Sequence, residues 1–478
     1  MPPFRCALTL NAAVLFACGC AAVAPTSRYA ELDLSVPGAW AATSYGAAGV
    51  DYHWIIRFRD RVLQNLVDEA LQANPDLHTA QARVARAASA VRGSAAPLQP
   101  QLDVNFNPSR TKQNFIGFPE EFTGGSTPAF IDNRFGATLD LSWEIDVWGR
   151  LRAGLSAASA ELQASGADYR AARSSLVAQV AKAWFALAEA NQQLALSHDS
   201  LESFRATELV LQERFESGES EGGVAAQLRI AKSDSANGRA QVELRGEQRD
   251  LALRQLEILL GRYPSATVVE SSSLPAVPPT PPAGLPSELL LRRPDLLAAE
   301  RRFAASGKRL EEARRAFFPR LALTGSAGNV TSDLDQLANS DFGVWTLAGN
   351  VVQPILDGGS LLAQRDQRRA EDREALAQLQ SVVLQAFLEV ETALEADSFL
   401  GRRQSALEEA VELAAEADTE SRSNYRDGVG DILTVLTAQV RLFSSRANLI
   451  TVRRQRLDNR VNLHLALGGD YLQRSAQP

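Results

Sequence analysis

From Phe135 to Val147 the chain alternates between two kinds of residue. Phe135, Ala137, Leu139, Leu141, Trp143, Ile145 and Val147 fall on one side, and Gly136, Thr138, Asp140, Ser142, Glu144 and Asp146 on the other. A period of two predicts a strand with unlike faces. Leu102, Val104 and Phe106 alternate in the same way with Asp103, Asn105 and Asn107, and the second half of the chain repeats the pattern. There Leu321 and Leu323 follow Pro319, and Trp345, Leu347, Val351 and Ile355 come next. The pattern predicts four strands, near 98–112, 135–148, 318–329 and 343–356, two in each half.

After each strand pair the period changes to that of a helix. Two runs rich in Ala, Leu, Gln, Glu and Arg, which favour helix, extend to about residues 216 and 426, with apolar positions at helical spacing in Leu176–Ala190 and Val382–Leu394. Each closes on an aromatic-x-x-Gly turn, Phe215-Glu216-Ser217-Gly218 and Tyr425-Arg426-Asp427-Gly428, where Gly218 and Gly428 are expected to supply a positive φ. Return helices near 224–262 and 431–467 follow. The unit of helix, two strands, long helix, turn and return helix is thus used twice, over 59–270 and 287–470. A linker at 271–286, with prolines at 275, 278, 279, 281, 282 and 286, separates the repeats. An irregular arm (21–58) precedes the first repeat and a short tail (471–478) follows the second. At about 1.5 Å per residue, helices of some seventy residues span on the order of 100 Å, which implies an elongated molecule.

The fold class is therefore mainly α with a small β part: long antiparallel helices with coiled-coil-like seams, carrying four strands. Strands of about ten residues suit a tilted membrane crossing; a small soluble sheet with one buried face is the other reading of the pattern. Four strands cannot close a barrel wide enough for a channel, so a membrane role requires several copies.

The first twenty residues read as an export signal, with Arg5 before the apolar stretch Ala7–Ala17. The cysteines Cys6, Cys18 and Cys20 all lie here, leaving the remainder without thiol chemistry. A cysteine after small residues at the cleavage point is the bacterial lipoprotein pattern. Spacing downstream favours Cys20 as the lipidated residue; the leucine three positions before Cys18 makes that residue the alternative.

Composition narrows the function. The formal net charge is -8, from 49 Lys and Arg against 57 Asp and Glu, and there is no basic patch, which argues against a nucleic-acid partner. The chain lacks GxGxxG, HExxH and P-loop motifs. The histidines His53, His78, His198 and His464 are scattered without metal-ligand spacing. Asp140, Glu144 and Asp146 share a strand face, which reads more simply as a water-facing surface than as a cation site. No catalytic residue, metal or cofactor is expected beyond the covalent lipid.

The chain resembles the outer-membrane efflux protein family, TolC-type, and within it the OprM/NodT lipoprotein branch. The resemblance is carried by Asn74-Pro75-Asp76-Leu77, by Leu141-Ser142-Trp143-Glu144-Ile145-Asp146-Val147-Trp148-Gly149-Arg150 and by Arg292-Arg293-Pro294-Asp295-Leu296. Ala316-Phe317-Phe318-Pro319-Arg320-Leu321, Pro354-Ile355-Leu356-Asp357-Gly358-Gly359, Tyr425-Arg426-Asp427-Gly428-Val429 and Ala466-Leu467-Gly468-Gly469 add to it. It implies a homotrimer in which four strands per chain complete one twelve-stranded transmembrane β-barrel, continued by an α-helical barrel across the periplasm. It also implies a periplasmic adaptor protein and an inner-membrane pump as partners, in a tripartite system exporting small toxic compounds. Two other readings are the exit duct of a type I protein secretion system and a structural periplasmic coiled-coil lipoprotein without a pore.

In such channels the periplasmic mouth is narrowed just after the aromatic-x-x-Gly turn, commonly by aspartates in a Leu-Asp-Ala-Gln stretch. Here the stretch is Leu436-Thr437-Ala438-Gln439, so a threonine stands in place of the aspartate. The resemblance then places the constriction at Asp431, Thr434 and Thr437, with Glu219 and Glu221 contributing from the first repeat, and adaptor docking at the tip turns Gly218, Gly428 and Tyr425.

Overall fold

The computed structural model describes residues 24–32, 34, 37–41, 54–114, 129–218, 223–267, 273–284 and 286–469. Eight α-helices and four strands are present among them: α1 (Arg61–Ala73), α2 (Pro75–Ala95), β1 (Gln101–Asn114), β2 (Ala129–Ile145), α3 (Arg150–Glu216), α4 (Val224–Leu259), α5 (Pro286–Arg292), α6 (Pro294–Arg315), β3 (Arg320–Thr331), β4 (Gly343–Val352), α7 (Ser360–Arg426) and α8 (Ile432–Ala466). The long helices α3 and α7 have 67 residues each. No described helix is long and apolar enough to cross a membrane.

The chain divides into two compact units. The first holds the sheet and the parts of α2, α3, α6 and α7 that fall within Ala85–Ala164 and Glu300–Gln378, with the arm up to Leu32. The strands form an antiparallel meander in the order β1-β2-β3-β4. The register sets apolar rows across it, Val104, Leu139, Ala327 and Trp345 in one, Leu102, Leu141, Gly325 and Leu347 in the next. The opposite face carries Asp103, Asp140, Ser326 and Thr346 in a row. Each boundary has a local cause. Leu98 lies in a short 3-10 turn between Pro97 and Pro100, so β1 starts at Gln101. β2 stops at Ile145, because Asp146 turns to accept the N–H groups of Leu151 (3.1 Å) and Arg152 (2.9 Å) and caps α3; Val147 is outside the strand. β4 stops two residues before Pro354, which has no N–H for the ladder.

In the same unit the arm is fastened by Arg28. Its guanidinium donates to Asp372 on α7 (2.6 Å), to the carbonyl of Phe303 on α6 (2.9 Å) and to Glu31 (2.8 Å), and lies 3.7 Å over the Phe303 ring. Its backbone N–H donates to the fully buried Glu300 (2.8 Å). Gly307 leaves the room: a Cβ there would come within 2.4 Å of the Arg28 guanidinium.

The second unit holds Asp33–Val84, Ser165–Ala299 and Leu379–Pro478. Its core joins Trp54, Ile55 and Phe58, the apolar side of α1, Val177, Val180, Ala181, Trp184 and Phe185 of α3, Leu253 and Leu256 of α4, and Leu457 and Val461 of α8. Asp60 caps α1 and also accepts from the indole N–H of Trp184 (2.7 Å), which ties the start of α1 to α3. His464 is fully buried and stacks on Trp54 at 5.3 Å, a packing role. A polar seam runs between α3 and α8. Lys182 donates to Asn462 (2.5 Å), Arg454 pairs with Glu189 and Asp458, Thr451 donates to Glu189 (2.7 Å), and Gln439 donates to Thr207 (2.8 Å). Burial pushes the Asp458 carboxyl up to about 6, against the opposing pull of Arg454 and Lys182.

Candidate functional site

At the tip of the second repeat, α7 ends in a turn built on two glycines. Gly428 has φ 78° with open space around it, and Gly430 presses on the backbone of Asn424 and Tyr425, where a Cβ would come within 2.8 Å. The N–H groups of Val429 and Gly430 both donate to the carbonyl of Asn424 (3.0 and 2.9 Å), which closes the chain reversal. Gly218 takes the same left-handed conformation at the end of α3, with φ 84°. Tyr425 joins the two tips: its hydroxyl accepts from Arg214 of α3 (2.6 Å), and the guanidinium stands 5.3 Å from its ring centroid. Arg214 lies outside the motif that singles out Tyr425; its only sequence signal is its place in the last turn of α3.

Below the turn, Ile432, Val435 and Leu436 of α8 pack with Leu211 of α3 and Leu228 and Ala231 of α4 into a small closed core. The other side of α8 carries the expected constriction residues: Asp431, Thr434 and Thr437 are all exposed and follow one another at three-residue steps. Asp431 is the N-cap residue of α8 by position, yet its side chain makes no capping bond, and only its carbonyl accepts, from the N–H of Thr434 (3.1 Å). Its carboxylate thus faces solvent uncommitted among the described residues. The Thr437 hydroxyl donates back to the carbonyl of Leu433 (2.7 Å), so the position presents a methyl group and spare acceptor lone pairs. The structure brings Asp431, Thr434 and Thr437 together on one surface. Glu219 and Glu221 lie outside the described residues, as do Cys18 and Cys20.

The sheet is the second functional element. In this chain its apolar rows are uncovered: Val104 and Trp345 are each 80% exposed and Val351 69%. Among the described residues β1 and β4 each have a partner on one side only, leaving two rows of backbone donors and acceptors free. The polar face is internally bonded. Asp140 accepts from Ser326 (2.6 Å), Asn105 (2.6 Å) and Thr138 (3.2 Å), which links three strands at one level. Glu144 accepts from Arg150 (2.8 Å) and Asp146 is occupied as a helix cap, so these acids serve the fold. No group of acidic, histidine or cysteine side chains able to hold a metal exists among the described residues.

An open sheet with one apolar and one polar face, together with long paired helices, is the make-up of a membrane duct subunit. Family comparison agrees. The model of the family described as outer membrane efflux protein matches residues 66–262 and 285–469, so the chain belongs to that family. It is similar to the solvent efflux pump outer membrane protein SrpC of Pseudomonas putida, 31% identical over 87% of this chain and 86% of that one. It is also similar to the cation efflux system protein CusC of Escherichia coli, 30% identical over 91% of this chain and 90% of that one. Among solved structures the outer-membrane channel OprN superposes with a TM-score of 0.85 at 26% identity, covering 94% of this chain and 99% of that chain. The protein is an outer-membrane efflux channel component.

Proposed function

We propose that three copies of this chain assemble into a passive duct for small toxic compounds. Four strands from each would complete a twelve-stranded barrel, and the helices would continue it through the periplasm. The observation that carries this reading is the four-stranded meander with both edges free and its apolar face exposed. In a bilayer every backbone donor and acceptor must be paired, and closure with neighbouring copies is the way to pair the edges. The N-terminal cysteine, Cys20 or Cys18, carries the lipid. The chain performs no chemistry and needs no cofactor; energy comes from an inner-membrane pump, coupled through a periplasmic adaptor that docks around Gly218, Gly428 and Tyr425. The kinship with SrpC and CusC supports solvents or cations as cargo.

The narrow mouth is formed by Asp431, Thr434 and Thr437, with Glu219 and Glu221 from the first repeat. The test is reconstitution in planar bilayers together with heat-modifiable migration in gels. Trimers conducting ions are expected, with conductance and cation selectivity altered by Asp431→Asn and Thr437→Ala. A monomer without conductance overturns the duct; trimers indifferent to both substitutions overturn the mouth assignment alone.

A further inference from the structure

The exposed stripe on α8 does not stop at Thr437. Thr434, Thr437 and Arg441 follow at steps of three and four, the spacing that stacks side chains on one helix face, and all are exposed while Val435, Leu436, Gln439 and Leu442 on the other side are buried. Two grooves flank this ridge. One, of about 510 Å³, lies against Ile230 and Asp234 of α4; the other, of about 350 Å³, lies against Ala414 and Ala417 of α7. Thr437 and Arg441 line both, so the ridge stands between them. Among the other α8 arginines, Arg454 pairs with Glu189 and Asp458, Arg460 with Asp397, and Arg453 with Glu408, while the half-buried Arg446 forms no ion pair among the described residues. Arg441 makes no ion pair or hydrogen bond among the described residues. Asp234, which shares its groove, forms no ion pair with it, and burial pushes that carboxyl up.

We infer that Arg441 is a charge-selecting residue of the duct, which favours anionic and zwitterionic solutes at a level deeper than Asp431. The inference rests on the proposal that this face of α8 lines the duct. Ten residues of helix separate Arg441 from Asp431, about 15 Å, which exceeds the Debye length of about 10 Å at 0.1 M salt. The carboxylate at the lip therefore does not cancel the guanidinium, and the threonines between them are neutral. A guanidinium stays charged at every physiological pH, and a ring of them attracts anions where a carboxylate ring attracts cations. Organic carboxylates, sulfonates and phosphates are the solutes such a level would concentrate.

The experiment is the reversal potential of the full-length protein across a KCl gradient. R441Q is expected to shift it toward the potassium potential, R441E further, and R441K to leave it in place. All native cysteines precede residue 21, so R441C gives a check on already assembled protein. A positively charged thiol reagent should restore the wild-type reversal potential, and a negatively charged one should displace it further toward potassium. Conducting trimers whose reversal potential ignores both R441Q and the R441C reagents would overturn the inference and leave the duct intact. Wild-type protein that does not conduct would remove the duct, and this inference with it.

Discussion

The side-chain amide of Asn74 donates to the carbonyl oxygen of Leu259 at 2.8 Å and closes the end of α4. Its counterpart in the second repeat is Arg293, which donates to the carbonyl of Ala466 at the end of α8 (3.2 Å). Both stand directly before Pro-Asp-Leu, and the glycine after each return helix, Gly261 or Gly468, packs against the residue preceding them. One contact, inherited twice, is made by an amide in one repeat and by a cation in the other. Asn74 also accepts from the N–H groups of Asp76 (2.9 Å) and Leu77 (3.2 Å), which caps α2. Asn74→Ala therefore removes a cap and strands a carbonyl, at a cost of about 1–3 kcal/mol. Asn74→Asp keeps the cap but loses the donor and sets a buried carboxylate against the Leu259 carbonyl oxygen. Thermal unfolding in detergent should place the midpoints of both variants below that of the wild type.

Two glycines with similar dihedrals should respond differently to alanine. Gly428 has φ 78° with nothing near its missing Cβ, so Gly428→Ala costs the left-handed strain alone, about 1–2 kcal/mol. Gly261 has φ 72°, and a Cβ there would come within 2.5 Å of the Ala73 carbonyl oxygen. Gly261→Ala adds a backbone displacement to the same strain. The melting temperature should fall more for Gly261→Ala than for Gly428→Ala.

Two buried carboxyls give pH dependence of opposite sign. Burial raises Asp458 to about 6, so the folded chain holds that proton more tightly than the unfolded chain. Its contribution is full below the ordinary aspartate range near 4 and is lost as pH climbs through 6, by at most about 3 kcal/mol. Glu257 is the reverse. Burial pushes its carboxyl up, but the N–H groups of Thr267 and Ala266 and the hydroxyls of Ser265 and Thr267 outweigh this and hold it below the usual glutamate value. Its contribution is present above about 4.5 and lost as pH falls. Asp458→Asn should flatten the decline in stability between pH 4 and 6, and Glu257→Gln should remove part of the loss on acidification. Denaturant unfolding across pH 3–7 reads both.

The two faces of β4 make a third contrast. Trp345 belongs to the apolar rows and Thr346 to the polar row beside Ser326. An arginine on the lipid side of a barrel costs about 2–4 kcal/mol at mid-membrane, whereas the lumen side tolerates it. Trp345→Arg should lower the yield of heat-modifiable trimer in the outer membrane, and Thr346→Arg should leave the yield unchanged and alter conductance.

The alternation of Phe135–Ile145 was legible because lipid and water impose different residues on its two faces. The first residues of β2, Ala129-Phe130-Ile131-Asp132-Asn133-Arg134, show no alternation and are held by backbone pairing with Ser109–Asn114. Such pairing is indifferent to side chains and leaves no trace in composition. The motifs Asn74-Pro75-Asp76-Leu77 and Arg293-Pro294-Asp295-Leu296 could be read, but not the work of their first residues, whose acceptors lie 185 and 173 positions away. Asp431, Thr434 and Thr437 were named through the family resemblance, and the structure sets them on one exposed face of α8. Arg441 obeys the same spacing one turn further, beyond the reach of the family pattern, and the groove geometry is what draws attention to it.

The Arg28 strap carries a consequence for biogenesis. Apart from the neighbouring Glu31, everything that receives it, Glu300, Phe303 and Asp372, is synthesised some 270 to 340 residues later. The leading arm emerges early and has nowhere to settle until the second repeat has been made and threaded beside the first. Arg28 is thus among the last residues to find its seat, and a truncated product stopping before Glu300 leaves the arm around Arg28 loose and open to periplasmic proteases.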